Sequence, residues 1–203
     1  KNKNMEVINL SKGQTIDLRK NSKGESVYDL SQVTVGLGWD VRQKQTGFLG
    51  KLIGGGKEEE YDLDAIAFLL DSNGKVANLG KTIQLSNGQQ KGLQEGDIVF
   101  FNSLKHPSGH IWLTGDNRTG EGDGDDEQIK IDLTKIDSSV KEICIVVTIH
   151  DAETRKQNFG QVRNSFIRIV DDSNNIELVK YELEEDFSIE TAVEFGRIYN
   201  REG

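Results

Sequence analysis

Between Asp116 and Glu127 the chain carries six carboxylates, Asp116, Glu121, Asp123, Asp125, Asp126 and Glu127, against one base, Arg118. Gly115, Gly120, Gly122 and Gly124 are interleaved with them, and Asn117 and Thr119 add neutral oxygens. Glycine lets a backbone turn tightly through positive φ. A loop folded that way forces like charges together, and a bound cation would relieve the repulsion. Hard divalent cations take six to eight oxygens, and calcium accepts the irregular geometry such a loop offers, whereas magnesium holds to an octahedron. With no Cys or His in the loop, softer metals fit less well. The plain alternative is a solvated acidic loop. The loop is short, lies between apolar runs, and mixes Gly with Asp, Asn and Thr, all of which favour a binding loop.

A second acidic group accompanies it. Asp40 ends the run Val33–Trp39, and Asp62 and Asp64 alternate around Leu63. On a strand, residues two apart point to one face, so these two carboxylates would lie side by side. Something positive between them would offset the cost, although a neighbouring strand could also supply it.

The whole chain is acidic: 203 residues, with 34 Asp and Glu against 25 Lys and Arg, for a formal charge of −9. More than half of that charge sits in residues 116–127. Nucleic acid requires a basic face, so it is not an expected partner. Free anions and anionic lipid are disfavoured on the same ground. One cysteine, Cys144, and three histidines do not supply a structural zinc site. Cys144 lies in the apolar run Ile143–Ile149 and reads as a core residue. No stretch of 18 apolar residues predicts a membrane helix, and no signal-peptide pattern opens the sequence at Lys1.

The elements that must position these groups are mostly strands. Val7–Leu10, Thr15–Leu18, Gln32–Gly38, Ala65–Leu70, Ile98–Phe101, His110–Leu113, Gln128–Leu133, Ile143–Ile149, Phe166–Val170, Ile176–Leu183 and Ala192–Tyr199 carry apolar alternation or short apolar runs. Asp71–Gly74 and Asp171–Asn175 read as turns. Helix is confined to a turn over Asp137–Glu142 and a polar connection over Asp151–Gln161. About ten short strands of this kind predict an all-β fold, a β-sandwich of two packed sheets with few short helices. Glycines within Gln32–Gly38 predict close approach of another group to that strand. With no linker and no repeat, residues 1–203 are expected to form a single domain. A glycine-rich loop over residues 42–60 is expected to be a flexible excursion.

Nucleotide and catalytic motifs fail. Gly56-Lys57 is followed by Glu58, so there is no phosphate loop. Arg118 and Gln128 break the EF-hand pattern at the places that matter. No nucleophile elbow occurs. In His106-Pro-Ser-Gly-His110 the proline and glycine prevent a helix from holding both rings on one face.

Val35-Gly-Leu-Gly-Trp-Asp40, Asp62-Leu-Asp-Ala65 and above all Thr114-Gly-Asp-Asn-Arg-Thr-Gly-Glu-Gly-Asp-Gly-Asp-Asp-Glu127 resemble the signature of the TerD family of tellurium-resistance and stress proteins. Thr148–Ala152, Asn158–Gln161 and Ser165–Arg168 add to the resemblance, which runs from about Val7 onward. It implies a bacterial, cytoplasmic, calcium-binding β-sandwich associated with resistance to tellurite and other stresses. It also implies a calcium region, for two ions, built from Asp40, Asp62 and Asp64 with the loop residues Asp116, Asn117, Gly120, Gly122, Asp123, Asp125, Asp126 and Glu127. A further C-terminal segment beyond Gly203 is expected on the same basis.

Tellurite is an anion, and an acidic loop would repel it unless calcium bridged the two. The reading is therefore a non-enzymatic calcium-binding module acting through other proteins of a stress or tellurite-resistance assembly. A calcium-dependent membrane module, docking through Phe48, Leu49, Leu52 and Ile53, is one alternative. A metal-assisted hydrolase using His150 and Asp151 is another, weakened by calcium's poor Lewis acidity.

Overall fold

The computed structural model describes residues 7–28, 30–40, 61–114, 124–183 and 189–200. Strands are labelled in chain order. One sheet has six strands in the order β1 (Ile8–Asn9), β11 (Ile176–Glu182), β10 (Arg163–Asp171), β2 (Gln32–Asp40), β8 (Glu127–Asp132) and β7 (Ile111–Leu113). A second has four, β12 (Ala192–Tyr199), β9 (Glu142–Ile149), β3 (Leu63–Leu70) and β6 (Ile98–Val99). Every pairing is antiparallel except β1 on β11.

Alternation explains why the sheets pack. Val33, Val35, Leu37 and Trp39 of β2 and Ile129 and Ile131 of β8 face Leu63, Ala65, Ala67 and Leu69 of β3 and Ile143, Ile145 and Val147 of β9 in one core. The fold is the all-β sandwich that the strand pattern predicts. The loop over residues 42–60 lies outside the described residues.

Three expectations need correction. Thr15–Leu18 is not a strand. Asp17 Oδ1 accepts from the Arg19 amide at 3.1 Å and the Lys20 amide reaches the Asp17 carbonyl at 3.0 Å, so the aspartate closes a turn instead. Ile98–Phe101 pairs over only two residues before the Ser103 amide returns to Phe100. Within Asp137–Glu142 the Val140 amide closes a single turn onto the Asp137 carbonyl at 3.0 Å and β9 has begun by Glu142, while the helical turn falls earlier, at Leu133–Lys135, where Asp132 caps it.

The sequence pattern also missed a separate two-stranded hairpin, β4 (Lys81–Gln84) with β5 (Gln90–Gln94). Its strands lack apolar alternation. The signal for it is Asn87-Gly88, where Gly88 sits at φ 83°.

Cys144 is buried on the outer face of β9, with Glu194 and Arg197 of β12 beside it. Burial, then the Glu194 carboxylate, pushes its thiol up to about 11. At pH 8 roughly one molecule in a thousand would carry the thiolate. Iodoacetamide should therefore leave the native chain unmodified at pH 8 and label it fully after unfolding in guanidinium, as read by mass spectrometry. Rapid native labelling would show that the site opens.

Candidate metal centre

Strand β2 is buried on both faces. Its outer face carries Thr34, Gly36 and Gly38, and the two glycines make room for what lies above them. In the ladder, Gly36 stands between Arg168 of β10 and Gln128 of β8. A Cβ at Gly36 would overlap the Asp125 carboxylate. Asp125 accordingly rests on bare backbone and is gripped from both sides. Arg168 donates through Nε to Oδ1 at 2.7 Å and through Nη2 to Oδ2 at 3.1 Å, and Gln128 Nε2 donates to Oδ2 at 3.0 Å. Arg168 also holds Glu177 at 2.7 Å. The Asp125 side chain is 2% exposed. Its hydrogen bonds to Asp125 hold the Arg168 guanidinium above its ordinary value, and burial works against them.

Gly38 repeats the arrangement one step along. A Cβ there would lie 2.5 Å from the Gly124 carbonyl oxygen and 2.5 Å from the Phe166 ring. The close approach expected on β2 is real at both glycines. At Gly36 it comes from a side chain, and at Gly38 from a loop carbonyl and a ring.

Of the next two residues, Asp126 stays on β2 and Glu127 crosses to the other sheet. The Asp126 amide donates to Leu37 at 2.8 Å, and its Oδ2 accepts from the Trp39 amide at 2.9 Å. Burial raises the Asp126 pKa. The Trp39 amide opposes that, and the charges of Asp40 and Asp125 add to it. Asp40 in turn accepts from Asn164 at 2.6 Å. Glu127 points inward, 1% exposed, and its Oε2 accepts from the Ala65 amide of β3 at 2.8 Å. That amide lies beyond the end of β6, which pairs only with Ala67 and Phe68. The carboxylate therefore satisfies a donor that no strand reaches.

Two hydrogen bonds thus tie the sheets at one end of the sandwich: Glu127 to Ala65, and Trp39 Nε1 to the Tyr61 carbonyl at 2.8 Å. Each joins residues flanked by candidate carboxylates, Asp126 and Asp64 for the first, Asp40 and Asp62 for the second. Asp62 and Asp64 are both buried on either side of the core residue Leu63. Asp64 Oδ2 lies 3.7 Å from His150 Nδ1, and His150 Nε2 lies 3.6 Å from Asp151. Phe101 stands edge-on to the His150 ring. A cavity of about 310 Å³ opens beside the cluster, lined in part by Trp39, Asp40, Gly124 and Phe166.

The fold therefore brings Asp40, Asp62, Asp64, Asp125, Asp126 and Glu127 toward one end. It does not put three of them around a single point. Among the described residues no group of three Asp, Glu, His or Cys could hold a metal ion. Asp116, Asn117, Gly120, Gly122 and Asp123 lie outside the described residues. Both oxygens of Asp125 are engaged by Arg168 and Gln128, and Glu127 serves the Ala65 amide. Sequence reasoning gave no role to Arg168, Gln128 or Asn164, although Arg168 closes the Ser165–Arg168 stretch of the resemblance. The glycine at 36 announces a close neighbour without naming it.

His106 bonds Ser108 through Nδ1 and Asp97 through Nε2. No helix of the described residues is long and apolar enough to cross a membrane. The segment Phe48–Ile53, which the membrane-docking alternative would use, lies outside the described residues.

Comparisons with known proteins agree with this architecture. The TerD domain family model matches residues 5–85 and 80–203. Tellurium resistance protein TerX of Serratia marcescens is 53% identical over 176 residues, covering 87% of this chain and 78% of that protein. General stress protein 16U of Bacillus subtilis (strain 168) is 42% identical over 197 residues, covering 97% and 86%. A crystal structure of a homologue of telluride resistance protein (TerD) from Streptomyces coelicolor A3(2) superposes with a TM-score of 0.59 at 22% identity, over 86% of this chain and 84% of that one, and shares the fold. With Gly124 and Asp125 of the signature packed against the double-glycine strand and a family match spanning nearly every residue, the chain belongs to the TerD family.

Proposed function

We propose that this protein is a cytoplasmic, calcium-binding stress-response module of tellurite resistance that acts by contact with other proteins rather than by catalysis. One observation carries the calcium reading. Two cross-sheet hydrogen bonds gather acidic residues at the end of the sandwich where the glycine-rich loop returns, and Asp126 is held there, partly buried, beside Asp40 and Asp125. Burial and like charge disfavour the ionised form, and a divalent cation offsets both.

Asp40 and Asp126 supply ligands to the ion together with residues 116–123, and Asp62 and Asp64 serve a second ion. Asp125 and Glu127 brace the site, because both Asp125 oxygens serve Arg168 and Gln128 and Glu127 Oε2 serves the Ala65 amide. The overall charge of −9 argues against direct capture of the tellurite anion. Two bound ions would neutralise about four charges and order the loop, which completes a surface for a partner protein.

Isothermal titration with calcium, and separately with magnesium, tests the reading. We expect saturable calcium binding that persists in excess magnesium and that weakens about tenfold or more in Asp126→Asn, since each lost carboxylate removes a charged ligand. Absence of heat and of any thermal shift up to millimolar calcium would remove the metal from the proposal.

A further inference from the structure

The outer edge of β12 has no strand on it among the described residues, and its sequence is complementary to itself. We propose that two copies of this chain associate through antiparallel pairing of β12 with the partner's β12, centred between Phe195 and Gly196.

The backbone sets the register. The Ile149 amide donates to the Thr191 carbonyl at 3.0 Å, so Thr191 turns its polar groups toward β9. In an antiparallel ladder this orientation alternates. Ala192 and Glu194 therefore turn theirs to the outer edge. An unbroken strand would then direct Arg197 inward, since 194 and 197 differ by an odd number.

β12 is not unbroken. Its register against β9 runs Val193 to Val147, Glu194 to Val146, then Gly196 to Ile145, with Phe195 as the extra residue of a bulge. The bulge resets the alternation, so Arg197 and Tyr199 join Ala192 and Glu194 on the outer edge. The side chains confirm the shared face: Arg197 Nε lies 2.8 Å from Glu194 Oε1, and Nη1 lies 2.8 Å from Glu142 of β9.

A twofold axis at the bulge then places Glu194 opposite the partner's Arg197 and Arg197 opposite the partner's Glu194. Val193 meets the partner's Ile198, and Ala192 meets the partner's Tyr199. Opposite charges directly across a strand pair stabilise it, and like charges destabilise it. Any slip of register forfeits both charge pairs. The four-stranded sheet becomes a continuous eight-stranded one, which covers an edge that would otherwise be a template for indiscriminate pairing. A single pair of strands of this length falls well short of the roughly 1,200 Å² typical of stable complexes. The dimer is accordingly reversible and forms in the micromolar to millimolar range.

Charge reversal tests the pairing. Glu194→Arg puts two arginines opposite each other twice, and Arg197→Glu does the same with glutamates. Sedimentation equilibrium should show wild-type chain self-associating with concentration and each single variant monomeric, weakened by about tenfold or more. An equimolar mixture of the two variants should dimerise again, because E194R and R197E chains complement each other across the axis. Melting curves verify that each variant is folded. Ala192→Pro supplies a second route, since it removes only an outward-facing donor and should also weaken the dimer.

Wild-type chain that stays monomeric into the millimolar range overturns the proposal. So does a dimer that survives both single reversals, which would lie on another surface. Monomeric single variants whose mixture fails to associate also overturn it, since the effect would then lie within one chain.

Discussion

Replacing Arg168 with methionine should lower the unfolding free energy by about 3 kcal/mol, the cost typical of leaving one member of a buried ion pair without its partner. The Asp125 side chain is 2% exposed, so its carboxylate cannot turn to water without breaking the packing on Gly36. In the variant it keeps one donor, Gln128. Glu177 loses its arginine as well. Urea unfolding reads this as a lower midpoint at unchanged slope. Arg168→Lys should recover only part of the loss, because an ammonium cannot make the two-pronged contact. Gly36→Ala should cost a comparable amount by a different route, since its Cβ occupies the space of the carboxylate. Combined with Arg168→Met, that second change should add little, because both act on one interaction. A loss under about 1 kcal/mol for Arg168→Met would place the pair in the range of solvated surface bridges and end the claim that it pins the loop.

The second large effect is at Glu127. Glu127→Ala should cost about 3 kcal/mol, from the Ala65 amide left buried without an acceptor and from the space the side chain vacates in the core. Glu127→Gln keeps a carbonyl oxygen for that amide and should stay within about 1 kcal/mol of wild type. The pair of variants separates hydrogen bonding from charge. It also separates bracing from metal ligation. Calcium at a hundred times its dissociation constant stabilises a native-only site by about 2.7 kcal/mol. Glu127→Gln should retain that gain in a thermal melt, whereas Asp126→Asn should lose most of it. Loss of the calcium gain in Glu127→Gln would move Glu127 from the brace to the ligand set.

How much could be read beforehand follows from which interactions are local. Alternation in Val33–Trp39, Leu63–Leu70 and Ile143–Ile149 specifies which side chains face the core, because a strand turns successive side chains to opposite faces. Most of the strands were readable for that reason. Thr15–Leu18 was not, because Asp17 closes a turn through its own side chain and overrides a weak pattern. The β4–β5 hairpin was not, because it buries little and is formed by Asn87-Gly88. The acidic loop was visible as a cluster of charge, but charge density alone does not say which carboxylates meet a cation and which meet an arginine.

By itself the sequence determined an all-β sandwich, a −9 charge concentrated before β8, and a family signature, since composition, alternation and contiguous motifs are all properties of neighbours along the chain. Only the tertiary structure decided that Asp125 belongs to Arg168, 43 residues away, and that Glu127 crosses to the other sheet. It also decided that one extra residue in β12 brings Glu194 and Arg197 to the same edge. Each of these depends on strand register, which is set by the packing of whole sheets and cannot be read from the residues that it brings together.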